Sequence, residues 1–165
     1  MEFSIETRVY LEDSDAQGIV YYVNYLKFME RARTELLRHL GFDFQKLQSQ
    51  QGHFVVHSVD ARYLKPAYVD DNIVITAAVV KTAKTYVVFD QKVCRRAGVD
   101  GTVPKTRGGL SSDMHPSNED SDQQVCGDVL CKGQIKIACV NSDTGRPMVI
   151  PAEIAKAFVQ RFEMI

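Results

Sequence analysis

The stretch Tyr10-Leu-Glu-Asp13-Ser-Asp15-Ala-Gln-Gly18-Ile-Val-Tyr-Tyr22-Val-Asn-Tyr25-Leu-Lys-Phe-Met-Glu30-Arg-Ala-Arg33 passes from a carboxylate-rich turn, through a glycine, into a helical pattern. Upstream of it, residues 3–10 alternate, with Phe3, Ile5, Thr7 and Val9 on one side and Glu6 and Arg8 on the other. That is the pattern of a half-buried strand. From about Tyr22 to Leu40 the period lengthens: Tyr22, Tyr25, Leu26, Met29, Ala32, Leu36 and Leu40 recur at threes and fours, opposite Lys27, Arg31, Thr34, Glu35 and Arg38. The spacing predicts a long amphipathic helix, which Gly41 ends in the usual C′ role.

Working outward, Phe42–Gln51 reads as a short helical connection, and His53–Tyr63 alternates again before Lys65-Pro66. Ile73–Val80 and Tyr86–Cys94 are apolar strands joined by Lys-Thr-Ala-Lys-Thr, a predicted hairpin. Cys131, Gly133, Ile135, Ile137 and Cys139 share one face of a further strand, with Lys132, Gln134 and Lys136 on the other. Pro151 opens a last helix carrying Ile154, Phe158 and Phe162 in register. Residues 97–125 break the pattern: few apolar residues, no period, basic early (Lys105, Arg107) and acidic late (Glu119, Asp120, Asp122). A loop of that length is uncommon inside a compact domain. Its composition favours a mobile, solvated insertion between two strands, with a lid over the active site as the alternative.

Strand, long helix, several antiparallel strands and a terminal helix make an α+β domain with one sheet packed on a long helix. One domain over 1–165 suits the length. A single curved sheet leaves an edge strand open, so a dimer that continues the sheet is expected. The formal charge of −1 supplies no electrostatic reason for nucleic acid or an acidic membrane as partner. No apolar run approaches the length of a membrane span, and the N-terminus lacks the pattern of a signal peptide, so the cytoplasm is the expected location. Cys94, Cys126, Cys131 and Cys139 form no Cys-x-x-Cys pair and are expected to be free thiols, buried or half-buried.

Several chemistries are excluded by spacing. Asp13-Ser-Asp15-Ala-Gln17-Gly18 imitates a calcium loop, but the twelfth position is Asn24 instead of a bidentate glutamate. Gly109-Leu-Ser111-Ser-Asp113 lacks the second glycine of a nucleophile elbow. His39, His53, His57 and His115 have neither metal spacing nor an evident nucleophile. What remains is the opening stretch. Gly18–Val23 contain no capping side chain, so a helix starting near Tyr22 would present free amides to a ligand oxygen. Gly18 permits a turn that brings Asp15 beside them. Amides polarising a carbonyl beside a carboxylate make an acyl-transfer site. Two readings compete with it: Asn24 as the helix cap, and Asp15 as a turn residue bonding its own backbone.

These residues also carry a resemblance. Val9-Tyr10-x-x-Asp13-x-Asp15-Ala-x-Gly18-Ile-Val-Tyr-Tyr22-x-Asn-Tyr25 with Glu30-Arg-Ala-Arg33, then Ala61-Arg-Tyr-Leu-Lys65-Pro-Ala67 and Gly145-Arg-Pro-Met-Val-Ile-Pro151, resemble the hot-dog acyl-CoA thioesterases of the 4-hydroxybenzoyl-CoA and Tol-Pal-associated type. The resemblance spans nearly the whole chain outside 97–125. It implies a long central helix wrapped by a curved antiparallel sheet, pairing into dimers and often tetramers with the active site at the dimer interface. Asp15 would attack the thioester or activate water, Tyr22 would polarise the carbonyl through its backbone N–H, and Glu30 would lie near the site or simply pair with neighbouring arginines. No metal or cofactor is implied, because coenzyme A belongs to the substrate; an acyl carrier protein is an alternative bearer of the acyl group, and a non-catalytic acyl-CoA-binding module is an alternative function. Tol-Pal-type members often carry His where this chain has Tyr22, which leaves acyl preference open. The phosphates of coenzyme A call for cations, and Lys65, Lys81, Lys84 and Arg146 are the candidates, with Lys84 favoured and Gly18 lining the site.

Overall fold

The computed structural model describes residues 2–49, 52–97 and 126–160. Strands β1 (Phe3–Arg8), β2 (Gly52–Tyr63), β3 (Asn72–Thr82), β4 (Tyr86–Arg96) and β5 (Cys126–Asn141) form one antiparallel sheet in the order β1-β3-β4-β5-β2. The helices are α1 (Tyr22–His39), the short α2 (Phe44–Ser49) and α3 (Ala152–Gln160). This is the α+β hot-dog arrangement, a long helix against one face of a curved sheet. None of the described helices is long and apolar enough to cross a membrane.

The helical period and the strand alternation meet in one core. Tyr25, Phe28, Met29, Ala32 and Leu36 of α1 are buried against Ile73, Ile75, Ala77 and Val79 of β3 and Val87, Phe89 and Val93 of β4. α1 covers β1, β3 and β4. Met29 packs closely on β5 at Gly133, where a Cβ would lie 2.9 Å from the Met29 sulfur and would require Met29 to shift. α3 closes the same face, with Phe158 edge-on to Phe89 at 6.0 Å.

Three expectations are corrected. Tyr22, counted among the apolar stripe of the helix, is 56% exposed at the first position of α1. The alternating strand His53–Tyr63 is exposed along most of its length, since β2 is an edge of the sheet and α1 lies mainly over β1, β3 and β4. Two of the four cysteines are not free: Cys94 and Cys126 form a disulfide with Cα atoms 5.3 Å apart. They are 32 residues apart in the chain, but the end of β4 and the start of β5 are paired neighbours. Cys131 and Cys139 are free and buried, as expected, and burial pushes the Cys131 thiol up to about 11. Of the insertion expected over 97–125, residues 98–125 lie outside the described residues.

Candidate active site

β1 delivers the chain to the end of the sheet where β3 begins. There Val9 N–H donates to the Asp71 carbonyl and Asp70 N–H returns to the Val9 carbonyl, each at 2.9 Å. After a 3-10 turn at Leu11–Asp13 the chain folds back on itself. Asp15 N–H donates to the Ile19 carbonyl at 2.9 Å, Gly18 N–H to the Asp15 carbonyl at 3.0 Å, and Ser14 bridges Val20. The reversal needs a residue in the left-handed region, and Gly18 sits there at φ 77°. Asp15 is half-buried, and its Oδ1 accepts the Gln17 N–H at 2.8 Å. The local bond expected of a turn aspartate is thus present, on one of the two carboxylate oxygens. Oδ2 has no hydrogen bond among the described residues.

α1 begins at Tyr22. Its N-cap, Tyr21, is extended and provides no side-chain cap. The Tyr21 N–H donates to the Asp13 carbonyl at 2.9 Å and the Asn24 N–H to the Tyr21 carbonyl at 2.8 Å. Among the described residues no acceptor meets the N–H groups of Tyr22 and Val23. These two donors stand at the positive end of the helix dipole, where an anionic or polarised oxygen is favoured. Asn24, the alternative cap, does not take them: its side chain turns away and donates from Nδ2 to the Asp13 carbonyl at 2.8 Å.

A tyrosine cluster surrounds this helix start. The Tyr22 ring lies 4.8 Å from Tyr21 and meets Tyr63, at the end of β2, edge-on at 6.0 Å. Hydrogen bonding and charge interaction with Tyr22 raise the Tyr21 phenol above its ordinary value, with partial burial and the negative charge of Asp15 adding to the rise. Behind the exposed rings, Tyr25 is buried and its hydroxyl accepts the Ala67 N–H at 2.9 Å. The Ala67 carbonyl in turn accepts the Val20 N–H at 2.9 Å.

Glu30 is two helical turns on, roughly 12 Å of rise from Tyr22. It forms an ion pair with Arg33, the alternative raised by the sequence. Arg33 is buried and donates from Nη1 to Gln91 Oε1 at 2.6 Å. Burial lowers the Arg33 pKa, against the opposing charge of Glu30. Gln91 is fully buried and donates onward to the carbonyls of Met29 at 3.1 Å and Thr76 at 3.2 Å.

Of the candidate cations, Lys65 lies at the same end of the sheet as Asp15, but its Nζ is paired with Asp128 Oδ1 at 2.7 Å. Beside it Arg95 clasps buried Asp71 at 2.9 Å and the Pro66 carbonyl at 3.0 Å. Lys84, in the β3–β4 connection, and Arg146, in the turn after β5, lie at the opposite end, and so does Lys81, whose Nζ sits over the Tyr86 ring. That end also holds a cavity of about 390 Å³ lined by Leu37, Phe42, Leu47 and Phe54 with Glu30 and Arg38 at its side. Within one chain the structure therefore brings together Asp15, Gly18 and Tyr22, with Lys65 nearby, and separates Glu30, Lys84 and Arg146 from them. Sequence reasoning missed the contact roles of Asn24, Tyr25 and Gln91. Only Gln91 had a local signal, as a polar residue in the inward register between Phe89 and Val93.

A long helix against a curved antiparallel sheet defines a protein of the hot-dog class. The profile of the thioesterase superfamily matches residues 17–102, and the chain belongs to that family of thioester hydrolases. It is 32% identical to the acyl-CoA thioesterase YbgC of Haemophilus influenzae, over 94% of this chain and 93% of the relative. It is 42% identical to the acyl-CoA thioester hydrolase YbgC of Escherichia coli over 55% of this chain and 68% of the relative. In fold it is similar to the DHNA-CoA thioesterase of Staphylococcus aureus (TM-score 0.75, 16% identity, 99% of this chain and 92% of that one). A second Staphylococcus aureus structure, solved in complex with CoA, aligns with TM-score 0.75 at 11% identity, over 99% of this chain and 85% of that one.

Proposed function

We propose that the chain hydrolyses an acyl-CoA thioester to a free acid and coenzyme A, with Asp15 acting through its carboxylate and Tyr22 through its backbone. The observation that carries this is the pair of unaccepted N–H groups at Tyr22 and Val23 beside the Asp15 turn. The thioester oxygen docks on those donors. As the carbonyl carbon becomes tetrahedral its oxygen gains negative charge, and fixed donors at the helix start hold that charge better than the neutral ground state. The free Oδ2 of Asp15 then either attacks the carbonyl carbon, expelling the thiolate and leaving an acyl–Asp15 anhydride that water cleaves, or takes a proton from the water that attacks that carbon. Water supplies the hydroxyl of the acid, and the sulfur leaves with a proton as the CoA thiol. The named relatives act on acyl-CoA, which supports CoA as the bearer of the acyl group.

The active enzyme in this reading is a dimer built across β2, with a dimer of dimers as the larger assembly. β2 is an edge strand of twelve residues on which Val55, Val56, Val59 and Tyr63 are all 40% exposed or more. An open apolar edge of that length favours pairing with a second copy. Antiparallel pairing of two β2 strands about a twofold axis sets the Gly52 end of one chain beside the Tyr63 end of its partner. The Arg146 turn, next to the Gly52 end because Gly52 pairs with Asn141, then approaches the other subunit's helix start. Glu30, Lys84 and Arg146 serve the site from the partner chain in this arrangement, and Lys65 from the same chain.

A panel of short, long and aromatic acyl-CoAs, with thiol release followed by a thiol reagent, tests the proposal. Turnover of at least one class is expected. Binding of the panel without thiol release would replace hydrolysis by a non-catalytic acyl-CoA-binding role. Release only when the acyl group is presented on an acyl carrier protein would move the substrate to the carrier and keep the chemistry.

A further inference from the structure

We infer that Asn24 is a positioning residue for the hydrolytic reaction: its side-chain amide ties the Asp15 turn to the first turn of α1 and so sets the carboxylate against the free helix amides. The inference rests on the proposed roles of Asp15 and Tyr22. Asn24 occupies the third position of α1 and is 6% exposed, yet its side chain neither caps the helix nor faces solvent. It spans eleven residues to donate to the Asp13 carbonyl at 2.8 Å. That same carbonyl accepts the Tyr21 N–H at 2.9 Å, so it is doubly held by the helix entry. Asp13 is itself fixed, with its Oδ2 accepting the Tyr10 N–H at 2.9 Å. The far side of the turn is tied separately, through Val20 to Ala67 and from Ala67 to the Tyr25 hydroxyl. Two adjacent helix residues, Asn24 and Tyr25, therefore anchor the two limbs of the loop that carries Asp15. The Asn24 bond is the nearer one to the carboxylate, two residues before it in the chain. Its removal leaves the Asp13 carbonyl held by the Tyr21 N–H alone, so that limb can shift while Tyr25 keeps the loop attached.

The test is a pair of variants, Asn24→Leu, which fills the space without a donor, and Asn24→Ser, which shortens the donor out of reach. Each is assayed with the best acyl-CoA of the panel, with active sites titrated by its non-hydrolysable thioether analogue. A carboxylate displaced by about 1 Å costs on the order of 100-fold, so kcat falls roughly 10- to 100-fold. KM and the analogue's Kd stay within about threefold, because the acyl and CoA contacts remain. A purely structural role would lower Tm and the titrated site concentration but leave kcat per titrated site unchanged, and that result overturns the inference. Loss of a cooperative melt in both variants also overturns it, since the residue then serves the fold alone. Asp15→Asn assayed alongside separates the two levels: wild-type turnover in that variant removes the underlying reading, whereas an inactive Asp15→Asn with fully active Asn24 variants removes only the positioning role.

Discussion

At the scale of single residues the site and its support depend on a few polar groups held where water cannot reach. Gln91 is the clearest, since it is fully buried and satisfies at once the Arg33 guanidinium and the carbonyls of Met29 and Thr76. Replacing Gln91 by Leu keeps the volume but leaves a buried cation short of a partner, and is expected to cost about 3 kcal/mol. Chemical denaturation checks it: a midpoint unchanged from wild type would contradict the account of this network. The Asp15 turn was legible in the sequence because Asp15 and Gly18 stand next to an uncapped helix start, all within a few residues. The Asn24–Asp13 and Arg33–Gln91 contacts were not, because their partners are eleven and fifty-eight residues away and no local pattern encodes the pairing. For Glu30 both the helical position and the option of an arginine partner were readable, and Arg33 is the arginine it meets within its own chain.

At the scale of elements, periodicity located α1 and all five strands, since a 3.6-residue stripe and a two-residue alternation each mark a buried face. It failed where burial depends on which neighbour an element acquires. β2 alternates in sequence but lies at the edge of the sheet, beside the strands that α1 mainly covers, so its inward residues Val56, Val59 and Tyr63 remain exposed. Cys94 and Cys126 read as free thiols because their proximity comes from the pairing of β4 with β5. That disulfide closes a loop of 32 residues, for which chain entropy gives a stabilisation of roughly 3–4 kcal/mol. Reduction with dithiothreitol is therefore expected to lower Tm by about 10 °C. An unchanged Tm, with both thiols shown by alkylation to be free, would contradict a stabilising crosslink.

At the scale of the whole molecule the monomer fold leaves an open apolar edge and a helix start ringed by exposed tyrosines. Both features gain a purpose if two chains pair through β2. Sedimentation is expected to show at least twice the chain mass. Val59→Lys, which places a charge on the exposed strip, is expected to shift the protein toward monomer and to lower activity with it. A fully active monomer would contradict the interface. The central claim is narrower than the assembly: a carboxylate at Asp15 performs the chemistry while helix amides hold the oxygen. Asp15→Asn keeps the shape of the side chain, can still accept the Gln17 N–H, and removes both nucleophile and base. The decisive measurement is single-turnover hydrolysis of an acyl-CoA substrate by Asp15→Asn beside wild type, with binding of the thioether analogue measured in both. The account predicts unchanged binding and a rate lower by about 100-fold or more; a near-normal rate would contradict it.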